Sequence, residues 1–201
     1  MKENSKSYHH KNLKEALITQ GIEIIYTHGM SSFSLRKLSR EVGVSAAACY
    51  NHFANVDELL KAMIQFITDK FTEVLKQAAL ENKYKSVTIS MGCAYVKFFL
   101  EYPHYFSFLF DSNNLGITVT DDGIVSDGSF EPFTVFEREA RNEIERLGIS
   151  KEELRNDLLI MWASVHGLAA MANMKGIALE GDFIKLTEKL LRKKVTLWKM
   201  K

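Results

Sequence analysis

The chain has only two cysteines, Cys49 and Cys93, and neither sits in a paired motif. That excludes a disulfide framework and a Cys-x-x-Cys metal or redox site, and it fits a reducing compartment. Two prolines and eleven glycines in 201 residues are few for the turns of an all-β protein and suit long, uninterrupted helices. No stretch approaches the roughly 18 apolar residues of a membrane span. The segment after Met1 is polar, without the apolar run of a secretion signal. A cytoplasmic protein with no membrane partner is the expectation. Net charge is nearly absent as well, at +1, so any affinity for a polyanion has to arise locally. Also missing are a Gly-x-Ser-x-Gly elbow, a phosphate loop, a dinucleotide-binding glycine cluster and a His-Glu-x-x-His pair. No catalytic residue, cofactor or metal ligand is assigned, and an enzyme is not expected.

What is present is a globular balance, 46% apolar and 25% charged, long enough for a sizeable core. The charge is uneven. Residues 1 to 56 carry seven Lys or Arg against four Glu, and four of the six His. A dimer would double that modest basic footprint. His9 and His10 read as part of an N-terminal tail in preference to a metal site.

Residues 35 to 53, LRKLSREVGVSAAACYNHF, are the most informative stretch. Ser34 precedes apolar residues at Leu35, Leu38 and Val42, so it can cap a helix start. Gly43 follows, where a helix end needs a positive φ. Val44 turns inward, and Ser45 offers a second cap before Ala46 to Tyr50. Ser39 is small where two helices would cross closely. The pattern predicts two short helices meeting at a sharp angle, a helix-turn-helix whose second helix fits a DNA major groove. A helix pair that merely packs in an all-α protein is the plainer reading of the same pattern.

Residues 9 to 60 resemble the DNA-binding domain of the TetR (tetracycline repressor-like) transcriptional regulators. The resemblance rests on Gly29, Ser34, the pair Leu38 and Ser39, Gly43-Val44-Ser45, Tyr50-Asn51-His52-Phe53 and Val56-Asp57-Glu58-Leu59. It implies that Tyr50 and His52 lie near phosphates and that Ser45, Ala46 and Ala47 point toward base edges. Ser34 and Asn51 join them, and Arg36 and Lys37 add phosphate or base contacts. Two departures stand out. Val56 replaces the family's frequent Lys, and the second helix contains no Arg or Lys, which removes bidentate readout of guanine from it. Ala46 and Ala47 can still touch thymine methyls, and Asn51 can pair with adenine, so reliance on Arg36, Lys37, backbone contacts and DNA shape is expected.

Beyond this stretch the periodicity predicts helices throughout. The first runs from about Tyr8 to His28 with Leu13, Ala16, Leu17, Gly21, Ile24 and Ile25 on one face. Asn55 and Glu58 form a capping box for a long helix bearing Leu60, Met63, Ile67, Phe71, Val74 and Ala78. Another spans Val87 to Tyr102 and ends at Pro103, which itself can start a short helix. Residues 111 to 131 are Gly-rich and acidic, read as a solvated surface loop with a small hairpin at Ile117 to Val125. Three more helical patterns follow. One carries Phe133, Phe136, Ala140, Ile144 and Leu147. The next carries Leu154, Leu158, Trp162, Val165, Leu168 and Ala172 behind a Ser150–Glu153 capping box. The last carries Phe183, Leu186, Leu190, Leu191 and Leu197.

The fold class expected is all-α, with a three-helix N-terminal domain at 1–55 and a larger helical domain at 56–201. In the latter, Tyr95, Phe98, Phe99, Tyr102, Phe106 and Phe110 fall in an aromatic block that reads either as core or as the wall of a pocket for an apolar or aromatic molecule. Trp162, His166 and Asn173 share a helix face, and the Trp162-x-x-x-His166-Gly167 run, with Pro103 and His104 upstream, resembles one group of TetR-type C-terminal domains. His166 reads as core residue or effector contact; Cys49 as buried apolar residue or oxidant sensor. The resemblance implies a homodimer paired through the 133–147 and 154–172 helices, a palindromic double-stranded DNA operator and a small-molecule effector that releases it. A regulator controlled by a protein partner or by no ligand is the alternative, as is an all-α module or enzyme that no longer binds DNA.

Overall fold

A computed structural model describes residues 3–110, 115–148 and 154–198. These residues form helices α1 (Glu3–His28), α2 (Leu35–Val42), α3 (Ala46–Tyr50), α4 (Val56–Glu81), α5 (Val87–Glu101) and α6 (Pro103–Phe110). Strands β1 (Ile117–Thr120) and β2 (Gly123–Ser126) follow, then α7 (Glu131–Arg146), α8 (Leu154–Asn173) and α9 (Phe183–Trp198). The chain divides into two compact units, residues 1–67 and 68–201, so the division falls inside α4. The expected all-α architecture holds, with one small antiparallel hairpin added.

In the first unit Leu17, Ile22, Leu35, Leu38, Cys49, Phe53, Leu59 and Met63 are buried together. Gly21 lets α1 come close, since a Cβ there would collide with the Met63 Cε. The α4 stripe differs from the expected one. The buried row is Leu59, Met63, Ile67, Phe71 and Leu75, while Leu60, Val74 and Ala78 are only half-buried. Apolar residues occupy two overlapping helical rows here, and burial selects the one at strict four-residue spacing. The capping box forms: Asn55 Oδ1 accepts from the Glu58 N–H at 2.8 Å, and the Glu58 carboxylate accepts from the Ala54 N–H at 2.7 Å.

In the second unit α5 packs against α6, α7, α8 and α9. Gly92 permits this, since a Cβ on it would collide with Leu191 Cδ1 and crowd Val165 Cγ1 at 3.2 Å. On α9 the buried row is Thr187, Leu191 and Val195, whereas Leu186 and Leu190, expected inside, are exposed. Thr187 tolerates burial because its hydroxyl donates to the Phe183 carbonyl at 2.9 Å. The segment expected to be a solvated loop is seated in part on α8. Ile124 is buried, and a Cβ on Gly123, at φ +111°, would meet the Arg155 backbone carbonyl carbon at 2.5 Å. Ser150, Glu153, Asp111 and the side chains of His9, His10 and Leu197 lie outside the described residues.

One long-range bond has no counterpart in the sequence pattern. Glu143 of α7 is buried, and its Oε2 accepts the Thr88 N–H in the first turn of α5 at 2.8 Å. A helix N-terminus carries unpaired N–H groups and partial positive charge, so this carboxylate satisfies both needs. Glu143→Ala should cost about 1–3 kcal/mol by stranding a buried donor. Glu143→Gln, which keeps an acceptor, should cost less than half of that in urea unfolding.

Candidate functional site

Two local signals make the α2–α3 element. Ser34 accepts the Lys37 N–H at 3.1 Å and Ser45 accepts the Ala48 N–H at 3.1 Å, so each helix begins on a side-chain cap. Between them Gly43 takes the left-handed conformation, φ 76° and ψ 29°, and the Val44 N–H returns to the Ser39 carbonyl at 2.9 Å. Ser39 is buried, as its small size anticipates, and its hydroxyl donates to the Arg36 carbonyl at 2.9 Å. Leu35, Leu38 and Cys49 point into the core. Phe53 closes it from below α3, with the Lys14 ammonium 5.7 Å from its ring centroid.

This inward anchoring fixes what faces out. Ser34, Arg36, Arg40, Ser45, Ala46, Ala47, Tyr50 and Asn51 are exposed, and Lys37 is half-exposed. His52 is only half-exposed, its ring 6.4 Å from that of Phe53. Arg40, one helical turn after Arg36 and exposed, joins this surface although the motif does not single it out. Cys49 is fully buried and burial pushes its thiol upward. Since the thiolate is the reactive form, it is a packing residue and not an oxidant sensor.

The aromatic block forms a second candidate site. Tyr95, Phe99, Phe106, Phe110, Trp162 and His166 come together, as their positions predict. The Tyr95 hydroxyl lies 3.0 Å from His166 Nδ1. Phe110 and Phe106 approach the imidazole at 4.6 and 5.0 Å between centroids, and Trp162 lies parallel to it at 6.3 Å. Burial holds the Tyr95 phenol well above its ordinary range and the imidazole below its own. Both are therefore neutral near pH 7 and share one hydrogen bond, in which the phenol O–H donates to Nδ1 when the imidazole proton is on Nε2.

The other predicted members sit apart from this pair. Phe98 packs on Phe99 and Phe71, and Tyr102 stacks on Tyr105 at 5.0 Å with the Lys70 ammonium 5.0 Å from its centroid. Asn173 ties helices together: its amide donates to the carbonyls of Ala169 at 2.8 Å and Phe99 at 3.4 Å. Phe71, which the sequence presents only as a stripe residue, meets Tyr95, Phe98 and Phe99 at 5.0 to 5.1 Å. Phe133 and Phe136 of the α7 stripe pack on Trp162 at 5.0 and 6.3 Å. The cavity bounded by Leu75, Thr88, Met91, Tyr95, Phe136 and Trp162 has a volume of about 10 Å³. That is room for a water at most.

A capped helix pair with a glycine turn, followed by a separate helical unit, defines a helix-turn-helix DNA-binding protein. Residues 17–63 match the family of bacterial regulatory proteins called tetR, and residues 89–193 match the tetracyclin repressor-like C-terminal domain. The chain belongs to the TetR family of DNA-binding transcriptional regulators. Solved structures agree on the fold. A Rhodococcus sp. RHA1 protein of unknown function is 20% identical with a TM-score of 0.68, covering 92% of this chain and 93% of its own. A TetR-family transcriptional regulator from Haemophilus influenzae is 17% identical with a TM-score of 0.61, over 92% and 94%. The multidrug binding protein EbrR, complexed with malachite green, is 14% identical with a TM-score of 0.56, over 90% and 96%.

The buried imidazole makes stability depend on pH. Its folded pKa is depressed below the ordinary 6.5, so on acidification the unfolded chain takes up the proton first. Its contribution to stability is intact above pH 6.5 and declines as pH falls below that value. Thermal melting from pH 7.5 to 5 should show a steeper loss for the native chain than for His166→Phe.

Proposed function

We propose that this protein is a homodimeric repressor that occupies a palindromic operator and leaves it when a small apolar or aromatic effector enters the aromatic cluster. The observation that carries the DNA half is the outward face of α2 and α3. There Ser34, Arg36, Lys37, Ser45, Ala46, Ala47, Tyr50 and Asn51 are displayed by a core that holds Leu35, Leu38 and Cys49 inward. His52 contributes from the end of the same run. Residues 1–55 would read DNA, and residues 56–201 would dimerise and bind the effector.

The dimer face follows from what each helix leaves uncovered. The apolar side of α7 is already filled by Trp162. On α8 and α9, Ile160, Met171, Leu186 and Leu190 are exposed, and no described atom of a neighbouring element lies within 4 Å of the place where a Gly167 Cβ would be. Gly167 with Ala163 is placed to admit another helix. A two-fold partner pairing α8 and α9 would cover this face and set two reading helices about one DNA turn apart.

The effector half rests on the Tyr95–His166 pair, a polar anchor inside an aromatic shell. Such a site suits an apolar molecule with one hydrogen-bonding group. The cavity on the Trp162 and Met91 side of Tyr95 holds about 10 Å³, far below the roughly 300 Å³ or more of a drug-sized pocket. Phe106 and Phe110, both half-buried on the short α6, lie 5.0 and 4.6 Å from the imidazole between centroids and would move to admit a molecule to it. An effector with higher affinity for that opened conformer would draw the protein toward it, and release follows if that conformer fits the operator worse. The filled cavity equally favours a regulator answering to a protein partner or to no ligand.

A thermal-shift screen with malachite green and smaller aromatic compounds separates these readings. A true effector should stabilise the native chain by about 2.7 kcal/mol at one hundred times its Kd, and His166→Ala should abolish the shift while DNA binding persists. No stabilisation by any compound favours the ligand-free reading. For the DNA half, Arg36→Ala with Lys37→Ala should weaken binding to the chain's own upstream DNA. The slope of log K on log salt should flatten by roughly 0.9 for each phosphate that is no longer neutralised. Unchanged affinity and slope would remove both residues from the interface.

A further inference from the structure

The exposed face of α3 is chemically unusual for a reading helix. Ala46 and Ala47 lie at its start, and Tyr50 and Asn51 follow one turn later on the same side; all four are exposed. Between them Cys49 is fully buried and Ala48 belongs to the turn that Ser45 caps. Ser45 has one lone pair committed to the Ala48 N–H, which leaves its hydroxyl proton to donate. What the helix offers a groove is therefore alanine methyl groups, a phenol, a carboxamide and one hydroxyl donor. It offers no guanidinium or ammonium.

In the major groove each base pair shows a different pattern, and only thymine carries a methyl group there. Guanine is read best by Arg or Lys, adenine by Asn or Gln. The cations of this unit's helix pair, Arg36, Lys37 and Arg40, all belong to α2. In a helix-turn-helix that helix crosses the backbone while the second enters the groove, so these charges are placed for phosphates. Two alanines also shorten the distance between helix backbone and base edges, because no long side chain holds α3 away.

We infer that each operator half-site presents thymine methyl groups to Ala46 and Ala47, making apolar contact with thymine the main base-reading interaction of α3. Asn51 fits the same composition, since a T·A step that shows a methyl on one strand shows the adenine N6 and N7 edge on the other. The inference rests on the assignment of α3 as the reading helix.

The test uses the full-length protein and the operator it selects from a random duplex library. Each thymine of a half-site is replaced in turn by deoxyuridine, which removes only the 5-methyl group. At one or two central positions affinity should fall about fourfold per methyl removed, the equivalent of one buried methyl group. Elsewhere in the footprint it should hold within about 1.5-fold, far short of that loss. The ratio of thymine to uracil affinity at the sensitive positions should approach one in Ala47→Gly or in Ala46→Gly. Because that ratio is taken within one variant, any loss of folded protein cancels. Ala47→Ser, which keeps the helix start intact, should lower it as well.

Tight binding with no thymine sensitive to the replacement would overturn the inference. So would sensitive thymines whose ratio is unchanged in all three variants. Failure to select any DNA would instead overturn the assignment of α3 as a reading helix.

Discussion

The second unit is organised around the near-complete burial of α5. A helix that is wet on one side needs one apolar stripe; α5 hides eleven of its fifteen residues, so it is packed on most of its circumference, with Lys97 and Glu101 left at the surface. Gly92 supplies the space for α8 and α9 to close on it, and Glu143 accepts the Thr88 N–H of its first turn beside the Ser86 cap on Ile89. The aromatic cluster is a consequence. With Tyr95 and Phe99 held on α5, the rings of α4, α6 and α8 have one common place to meet. Tyr95 brings a hydroxyl into that place, and burial of a hydroxyl without a partner is costly. His166 removes the cost by pairing with it through Nδ1 at 3.0 Å. The polar pair is thus first a requirement of the packing, and the role proposed for it in recognition would be built on that requirement.

The first unit solves a smaller problem with a different device. The long α1 and the short α2 and α3 share one core, and the turn between α2 and α3 is held by Gly43 and by two serine caps. Because Leu35, Leu38, Cys49 and Phe53 are fully committed inward, the orientation of α3 is set by burial and not by the residues it shows to DNA. That separation explains how the outward positions can be alanine without loss of the element. The readout chemistry is free to vary while the scaffold stays the same.

Much of this was legible in the sequence, for a physical reason in each case. Ser34, Gly43, Ser45 and the Asn55–Glu58 box act through neighbours within four residues, so local chemistry reveals them. The aromatic block was legible as a cluster because eight rings within sixteen residues must share a core. What escaped were relations across the chain. Glu143 is a polar residue within α7, and no local pattern ties it to Thr88. Phe133 and Phe136 form a clean stripe, but a stripe shows that a face is buried without showing by what. On α9 the choice between Leu186 and Leu190 and the row Thr187, Leu191, Val195 depended on the other helices. The hairpin's seat on α8 turned on Gly123, whose missing side chain is informative only when the Arg155 backbone is in view.

The closed state of the cluster bears directly on how an effector could act. A pocket formed equally well in every conformer would bind a ligand without shifting the equilibrium between them. A filled one cannot bind without rearranging, and every ligand that enters selects a different packing. The same closure lowers apparent affinity: if the opened packing were populated at about 1%, the measured Kd would be roughly one hundred times the intrinsic one. The rings of α6 are the cheapest to move, because Phe106 and Phe110 are half-exposed while Tyr95 and Phe99 are held in the centre of the unit. Moving them uncovers the imidazole, whose Nε2 lies on the side of the ring away from the Tyr95 bond. Weak binding and strong response would then have the same origin, a site that exists only in the conformation it stabilises.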